Sequence, residues 1–374
     1  MGLTFMDGNE AVVRGAVYAG CRFFAGYPIT PASTILSGML EALPPLGGIV
    51  WQGEDEMASI GACLGASMAG LKAMTATSGP GISLYSENIS FAVGSEIPLV
   101  IVNVMRQGPS TGAATRGADG DVHFMRWGHS GGLPVVVLAP TCPADGFTLT
   151  VHAFNLAERL RCPVFVASSK DIAMTRETVD MEKVEKPAVI DRTLHTEGPY
   201  LPFAPGHNGV PAFLPIGGPV PVRQTSSMHG PDGYITTSPD VMQSLLERLQ
   251  RKVESQIDTF SFYDWDNQPD ASTLLVTYGI TARSAREAVS RLRAQGRSVS
   301  LLVLKTLWPV PEKVLVAAAE SIDRVLVVEA NLGQYVHEVR RVVCPKPVRF
   351  FGIMCGRMIF PEEIVQEVIR AESS

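Results

Sequence analysis

Apolar and polar residues alternate in blocks through the first part of the chain and predict a parallel α/β sheet. Apolar residues at helical spacing between Gly8 and Gly20 predict a helix, with Asp7 or Asn9 as its N-cap, that leads into a strand at 21–25. Residues 97–105 form a continuous apolar run, as expected of a strand buried on both faces. Similar blocks continue to about residue 175, so we expect a doubly wound, mostly parallel sheet.

This pattern breaks down between about residues 177 and 268, which are rich in Pro and Gly, and returns from residue 272. Only 239–255 has helical spacing in the middle stretch, and a loop this long is uncommon inside a compact domain. We therefore expect an arm lying over a neighbour. Three βα units are expected between 272 and 331. The predicted organisation is an α/β domain at 1–176, a connecting arm at 177–268 and a smaller α/β domain at 269–374.

Polar residues follow three of the predicted strands in the first domain. Thr30 lies in a loop after one strand, Glu56 starts a helix after another, and Arg106 follows the buried run together with Ser110 and Thr111. Open α/β sheets bind ligands at the carboxyl ends of their strands. A buried carboxylate suits general acid/base chemistry, and an arginine with hydroxyls suits an anionic ligand. The alternative is that Glu56 caps its helix and Arg106 pairs with it.

Charge and cysteine spacing exclude several classes of function. The chain has 31 basic and 37 acidic residues, a net charge of −6, and no basic block, so nucleic acids and anionic membranes are poor partners. It has no uncharged apolar run of 18 residues, and its first residues resemble no export signal, so we expect a cytoplasmic protein. The six cysteines show no CxxC spacing, which excludes an iron–sulfur or zinc cluster within the chain. We expect them to be buried as small hydrophobic residues.

Four ordered motifs carry a resemblance to a known family. They are Tyr27–Pro31 (YPITP), Glu54–Ala62 (EDEMASIGA), Thr75–Gly81 (TATSGPG) and Arg106–Gly112 (RQGPSTG). Together they resemble the α subunit of 2-oxoacid:ferredoxin oxidoreductases, whose best-known relatives act on 2-oxoglutarate and branched-chain 2-oxoacids. The resemblance covers nearly the whole chain. Residues 274–331 are similar to the transketolase-like C-terminal domain of that family, and Ser227–Gly230 falls at its His-Gly element.

This resemblance implies a role for each motif. The first domain is the pyrimidine-binding half of a thiamine diphosphate site, where Glu56 hydrogen-bonds N1′ of the aminopyrimidine and favours the tautomer that deprotonates C2 of the thiazolium. The implied reaction is oxidative decarboxylation of a 2-oxoacid with coenzyme A, giving acyl-CoA and CO2, with electrons passing to ferredoxin. The implied cofactor contacts are Glu56, Tyr27, Pro28, Ile29 and Ser83. The implied substrate contacts are Thr30, Arg106, Ser110, Thr111 and Arg116.

The chain lacks the motif that holds diphosphate and Mg2+ in such enzymes. Asp119-Gly120-Asp121 has the GDG form, but only a lone Asn155 follows where two asparagines are needed, so we interpret it as a coincidence. The resemblance therefore implies a β subunit that carries the diphosphate half, Mg2+ and a [4Fe–4S] cluster. It also implies a γ subunit or domain, with a ferredoxin-like δ subunit as an optional addition. The apolar fraction of 46 % agrees with extensive subunit contacts.

Departures from the family pattern leave the substrate open. Relatives usually have Gln where Asp119 stands, Pro before the threonine matching Thr115, and Thr-His-Gly where this chain has His129-Ser130-Gly131. A carboxylate at Asp119 beside the substrate would repel an anionic acid unless Arg116 or Arg126 neutralised it. Thus 2-oxoglutarate, branched-chain and aromatic 2-oxoacids all stay possible.

Two other matters stay open. His123 and His129 are candidate acid/base groups, although lone histidines are more often structural. The alternative functions are one half of a non-oxidative thiamine diphosphate decarboxylase or synthase, and a non-catalytic scaffold subunit.

Overall fold

The computed structural model describes residues 2–206 and 208–372. The strands are β1 (Leu3–Met6), β2 (Phe23–Gly26), β3 (Ile49–Gln52), β4 (Ala73–Thr77), β5 (Leu99–Met105), β6 (Val136–Leu138), β7 (Pro163–Ser169), β8 (Glu177–Asp180), β9 (Tyr263–Asp266), β10 (Thr273–Tyr278), β11 (Val299–Leu304), β12 (Thr306–Trp308), β13 (Arg324–Glu329) and β14 (Val348–Gly352). The helices are α1 (Gly8–Tyr18), α2 (Ser33–Ala42), α3 (Glu56–Met68), α4 (Pro80–Leu84), α5 (Ser86–Gly94), α6 (Val122–Trp127), α7 (Pro143–Leu160), α8 (Lys170–Met174), α9 (Pro239–Glu254), α10 (Thr281–Ala294), α11 (Glu312–Ala319), α12 (Val336–Val343) and α13 (Pro361–Glu372). Short 3-10 turns cover Pro44–Leu46 and Ile257–Thr259.

The larger sheet is the doubly wound, mostly parallel sheet that the sequence predicts. Its strand order is β12-β6-β7-β5-β4-β2-β3, and every neighbouring pair from β6 to β3 is parallel. All residues of β4, β5 and β7 are buried, because helices cover both faces of the sheet. The carboxyl ends of β5, β4, β2 and β3 therefore lie side by side, and the loops that follow them build one crevice.

The smaller sheet has the order β14-β13-β10-β11-β9, in which β9 is antiparallel to β11. The three predicted βα units are present, and the sheet is extended by β9 at one edge and β14 at the other. The sequence-based prediction missed both strands, together with α12 and α13. Strand β9 carries Asp264 and Asp266 and is mostly exposed, so it lacks the apolar run that marks a buried strand.

Strand β12 connects the two sheets. It follows β11 directly, leaves the smaller sheet, and pairs antiparallel with β6 at the edge of the larger sheet. Its residues Leu307 and Trp308 are buried, and the Trp308 indole N–H donates to the carbonyl of Val122 at 3.3 Å. One hydrophobic cluster contains side chains from both sheets, among them Val137 and Val276. The two sheets thus share a continuous core.

The Pro/Gly-rich segment after β8 packs on the same chain. Arg192 is buried and makes a two-point ion pair with Glu158 of α7, with both N···O distances at 2.6 Å. The guanidinium also donates to the carbonyl of Ser67, in α3. Nearby, the ammonium of Lys72 donates to the carbonyl of Ile190 at 2.7 Å. Paired and hydrogen-bonded buried cations of this kind fix a loop that has little regular structure.

A second buried ion cluster fixes α9 to the larger sheet. Glu96 is fully buried, and its carboxylate accepts from Arg248 at 2.6 Å and from Lys252 at 2.8 Å. Burial acts to raise the pKa of Glu96, but Lys252, Arg248 and Arg161 outweigh it and lower that pKa to about 2. The Arg161 side chain donates to the carbonyls of Glu96, Pro202, Pro211 and Ala212.

The expectation of buried cysteines is only partly right. Cys21, Cys63 and Cys162 are buried and Cys142 is half-buried, but Cys344 and Cys355 are exposed, because they lie in loops outside the sheet core. None of the described helices is both long and apolar enough to cross a membrane.

Candidate active site

Glu56 is the first residue of α3 and is only 7 % exposed. The residue that caps this helix is Asp55, whose Oδ1 accepts from the backbone N–H of Ala58 at 2.7 Å. The alternative in which Glu56 is the cap is therefore wrong. One carboxylate satisfies the helix N-terminus, and the next one along the chain turns into the crevice.

The Glu56 carboxylate lies against Gly81, in the turn that follows β4. A Cβ atom built on Gly81 would lie 2.8 Å from Oε1 of Glu56 and 2.1 Å from Oγ1 of Thr77, so only glycine fits here. Within residues 2–206 and 208–372 the carboxylate forms no hydrogen bond or ion pair. The hydroxyls of Thr77 and Ser78, on the neighbouring turn, are buried without a partner among those residues. Polar atoms buried without a partner are rare and point to a ligand.

Arg106 joins three loops of the crevice. Its Nη1 donates to the carbonyl of Thr30 at 2.6 Å, and its Nη2 donates to the carbonyl of Thr111 at 2.9 Å. A Cβ atom on Gly79, whose φ is +49°, would lie 2.8 Å from Nε, which is buried and has no partner among the described residues. Burial lowers the pKa of Arg106, and Asp121 acts in the opposite direction. The second part of the alternative is also wrong, because Arg106 does not pair with Glu56.

The loop after Arg106 carries the other predicted substrate contacts. The Gln107 N–H donates to the Arg116 carbonyl at 2.8 Å, which closes the loop, and Gly117 pairs with Gly356, which follows strand β14 of the smaller sheet. Ser110, Thr111 and Arg116 are exposed on this loop. Their side chains face outward while the loop itself is held at both ends.

The remaining predicted cofactor contacts form the outer rim of the crevice. Tyr27 and Pro28 are exposed, whereas Ile29 and Thr30 are half-buried. Ser83 is exposed on α4. The crevice thus brings Glu56, Thr30 and Arg106 into adjacent loops and leaves Tyr27, Pro28 and Ser83 at its mouth.

Asp119 faces away from this loop. It is 1 % exposed, and its Oδ2 accepts from the Ser169 hydroxyl at 2.9 Å beside Gly279, which follows strand β10 of the smaller sheet. Burial raises the pKa of Asp119 to about 7. Among the described residues, neither Arg116 nor Arg126 pairs with this carboxyl; Arg126, for instance, donates to the carbonyls of Gly132 and Leu133. The GDG sequence is a junction between the two sheets, where the Asn331 amide donates to the Asp119 carbonyl.

The histidines singled out from the sequence have other neighbours. The His123 backbone N–H donates to the Gln334 side chain, and its ring centroid lies 6.2 Å from that of His337. His129 is buried, and burial lowers its pKa.

Sequence reasoning missed Thr77 and Asn103 as polar groups of the crevice. The Asn103 side-chain amide donates to the Asp121 carboxylate at 3.0 Å. The signal was a polar residue inside a run of buried β-strand residues.

Comparison with known proteins identifies the family. A family model described as pyruvate flavodoxin/ferredoxin oxidoreductase, thiamine diphosphate-binding, matches residues 14–245. A second, described as pyruvate:ferredoxin oxidoreductase core domain II, matches residues 271–364. The chain belongs to the 2-oxoacid:ferredoxin oxidoreductase family. This confirms the family resemblance drawn from the four motifs.

Individual oxidoreductases of this family match over the whole chain. The 2-oxoglutarate synthase subunit KorA of Methanocaldococcus jannaschii is 39 % identical over 99 % of this chain and all of its own length. The ketoisovalerate oxidoreductase subunit VorB of Methanothermobacter thermautotrophicus is 33 % identical over 98 % of this chain and 97 % of its own. A solved 2-oxoglutarate:ferredoxin oxidoreductase of Magnetococcus marinus, with 2-oxoglutarate, coenzyme A and succinyl-CoA bound, superposes with a TM-score of 0.94 at 34 % identity. The match covers 99 % of this chain but only 65 % of that longer chain.

Proposed function

We propose that this chain is the α-type subunit of a thiamine diphosphate-dependent 2-oxoacid oxidoreductase that is active only with partner subunits. A 2-oxoacid, coenzyme A and two oxidised ferredoxins give acyl-CoA, CO2, a proton and two reduced ferredoxins. The observation that carries this proposal is the Glu56 carboxylate, buried at the start of α3 against Gly81 with no partner among the described residues.

The residues around Glu56 fit the aminopyrimidine half of the cofactor. A buried carboxylate without a protein donor offers a strong acceptor to a ring N–H. When bound, thiamine diphosphate supplies the carbanion that attacks the 2-oxo carbonyl and the electron sink for decarboxylation. The part of this chain is to hold the proton at the Glu56 carboxylate and to fix the direction from which the ring approaches.

Arg106 and Thr30 support binding of the substrate carboxylate. Arg106 already fixes the Thr30 and Thr111 loops, and its Nε is buried without a partner in the described residues. Guanidinium groups recognise carboxylates well because several N–H donors point in one plane. We infer that Ser110, Thr111 and Arg116, on the exposed loop, contact the rest of the 2-oxoacid.

We favour 2-oxoglutarate as the substrate. The sequence-based objection was the charge of Asp119, but this carboxyl bonds to Ser169, away from the exposed loop, and burial raises its pKa to about 7. Arg116 lies on the substrate loop and offers a cation for a second carboxylate. Identity to 2-oxoglutarate synthase subunits, at 39 % for the Methanocaldococcus protein, exceeds the 33 % identity to the ketoisovalerate subunit.

The partner subunits supply what this chain lacks. Under this proposal a β subunit holds the diphosphate, Mg2+ and [4Fe–4S] cluster, and a γ subunit or domain with an optional δ subunit completes the assembly. Exposed apolar side chains surround the mouth of the crevice and form a surface suited to docking the β subunit. Each is at least 40 % exposed: Tyr27, Trp51, Met57 and Leu84.

Replacement of Glu56 in the assembled complex tests the cofactor role. Glu56→Gln keeps the shape of the side chain but removes the charge, so we expect turnover to fall by about 10³-fold while subunit assembly is unchanged. Substantial remaining activity would show that the cofactor assignment is wrong.

The ratio of kcat/KM for 2-oxoglutarate over kcat/KM for 2-oxoisovalerate tests the substrate assignment. A ratio below one would contradict 2-oxoglutarate as the preferred substrate. An iron–sulfur absorbance band distinguishes the oxidative reaction from a non-oxidative one.

A further inference from the structure

A cavity of about 620 Å3 lies outside the crevice, between α9 and the Pro/Gly-rich segment. Its wall on the α9 side is one stripe of that helix, because Val241, Ser244, Leu245 and Arg248 recur at spacings of three and four residues. Its size is within the range of sites for small organic ligands, about 300–1,000 Å3. Other residues that line it include Phe203, His229, Pro231, Asp240 and Arg251.

His229 gives this cavity a buried hydrogen-bond acceptor. Its Nδ1 lies 2.6 Å from the carbonyl of Ser227, and because a carbonyl only accepts, Nδ1 carries the proton. Burial lowers the pKa of His229 and so favours the neutral ring, in which Nε2 is an acceptor when Nδ1 carries the proton. The residue is 2 % exposed, and Nε2 has no partner in the described parts of the chain. A donor from a ligand would satisfy it.

Positive charge is in excess on the α9 side of the cavity, opposite His229. The buried Glu96 carboxylate is surrounded by Arg248, Lys252 and Arg161, three cations around one anion. Arg251 lies one helical turn beyond Arg248 on the cavity wall and is exposed. Its side chain makes no hydrogen bond or ion pair with the described residues. This end of the cavity therefore attracts an acidic group.

The middle of the cavity suits a flat apolar body. The rings of Phe203 and His229 pack with their centroids 3.9 Å apart, and Leu245 and Pro231 line the same space. Asp240 lies in the first turn of α9, so its negative charge disfavours an anion at that end of the cavity, away from Arg251. Polarity and shape together thus set the orientation of a ligand.

We propose that this cavity binds a small aromatic acid that carries an O–H or N–H group, with the donor at His229 and the acidic group at Arg251. The site shares no lining residue with the crevice of Glu56 and Arg106. It is a second ligand site on the subunit, distinct from the one that binds the 2-oxoacid.

Equilibrium dialysis of the assembled complex with three probes tests the proposal. The probes are 4-hydroxybenzoate, 4-methoxybenzoate, which lacks the donor, and 4-hydroxybenzamide, which lacks the charge. We expect 4-hydroxybenzoate to bind at least tenfold more tightly than either of the others. Arg251→Gln should weaken its binding about tenfold and leave that of 4-hydroxybenzamide unchanged. The matched control is Arg291→Gln, an exposed arginine on α10, which should change neither.

Filling the cavity provides a second, independent variant. Val241→Trp should abolish saturable binding of all three probes while turnover of the complex stays at the wild-type value, since the cavity is separate from the crevice. Two results would overturn the proposal: no saturable binding of any probe to the wild-type complex, or 4-hydroxybenzoate binding that is the same in Val241→Trp and Arg251→Gln as in the wild type.

Discussion

Gly81→Ala tests whether backbone packing sets the position of Glu56. The added methyl group would lie 2.1 Å from Thr77 Oγ1 and 2.8 Å from Glu56 Oε1, and Cβ contacts in proteins essentially never fall below 3.0 Å. The Thr77 side chain or the glycine turn must then move by about 0.9 Å, and the Glu56 carboxylate must also shift. Misplacement of a catalytic group by about 1 Å costs roughly 10²-fold in rate. The Glu56 carboxylate itself needs to move only about 0.2 Å to relieve its 2.8 Å contact, so we expect a smaller fall in kcat, about tenfold.

The measurement is kcat of the assembled complex at saturating 2-oxoglutarate, coenzyme A and thiamine diphosphate. A second measurement is the rate of hydrogen–deuterium exchange at C2 of the bound cofactor, which reports the step that depends on Glu56. The matched control is Gly65→Ala in α3, where a Cβ atom meets nothing within 4 Å. This control should keep full activity, and alanine should stabilise the helix by about 0.5–1 kcal/mol.

A second variant separates steric displacement from general damage. Thr77→Ala removes the closest clashing atom, so the Thr77→Ala/Gly81→Ala double variant should recover part of the exchange rate lost in Gly81→Ala. If Gly81→Ala kept kcat within twofold of the wild type, the turn would not position Glu56. If the exchange rate were normal while kcat fell, the methyl group would act on a later step.

Three further outcomes follow from buried charges and from the exposed surface. Glu96→Gln should lower the free energy of unfolding by about 3 kcal/mol, because the pKa of the Glu96 carboxyl falls from 4.5 to about 2 in the folded chain. A urea titration in which the free energy of unfolding changes by less than about 1 kcal/mol would contradict this. The pKa of Asp119 in the folded chain is about 7 and exceeds its ordinary value of 3.8, so the contribution of this carboxyl to stability falls as pH rises from about 4 to 7. Asp119→Asn should therefore flatten the pH dependence of the melting temperature over that range. An unchanged slope would refute this prediction. Trp51→Glu, on the exposed edge strand β3, should impair co-purification with the β subunit while the subunit itself stays folded by circular dichroism; intact assembly would remove this face from the interface.

The buried strands could be predicted closely because their residues are apolar without interruption. The apolar run at 97–105 is strand β5, which begins two residues after the predicted start and ends at the predicted residue. Short strands could not be predicted, because their stability comes from partners distant in the sequence. Strand β12 has three residues, and its partner Leu138 precedes it by more than 160 positions. No local pattern carries that information.

The arrangement of the crevice was only partly predictable. The sequence placed Thr30, Glu56 and Arg106 after strands of one sheet, and the sheet order puts those strand ends side by side. Which of three consecutive acids caps α3 depends on backbone direction, so Asp55 and Glu56 could be assigned only from the structure. The contact of Arg106 with the Thr30 carbonyl was not foreseen, because arginine was expected to bind a carboxylate. The catalytic role of Glu56 itself stays a prediction.

Strand β12 limits how this polypeptide can be divided. A fragment that stops at residue 268 would leave β6, whose three residues are all buried, as an unpaired edge with free backbone donors and acceptors. Exposed apolar edges of this kind pair with other chains and aggregate. During synthesis the larger sheet likewise lacks its last strand until residue 308 has left the ribosome, so its folding is completed only after the first three strands of the smaller sheet, β9, β10 and β11, have been made.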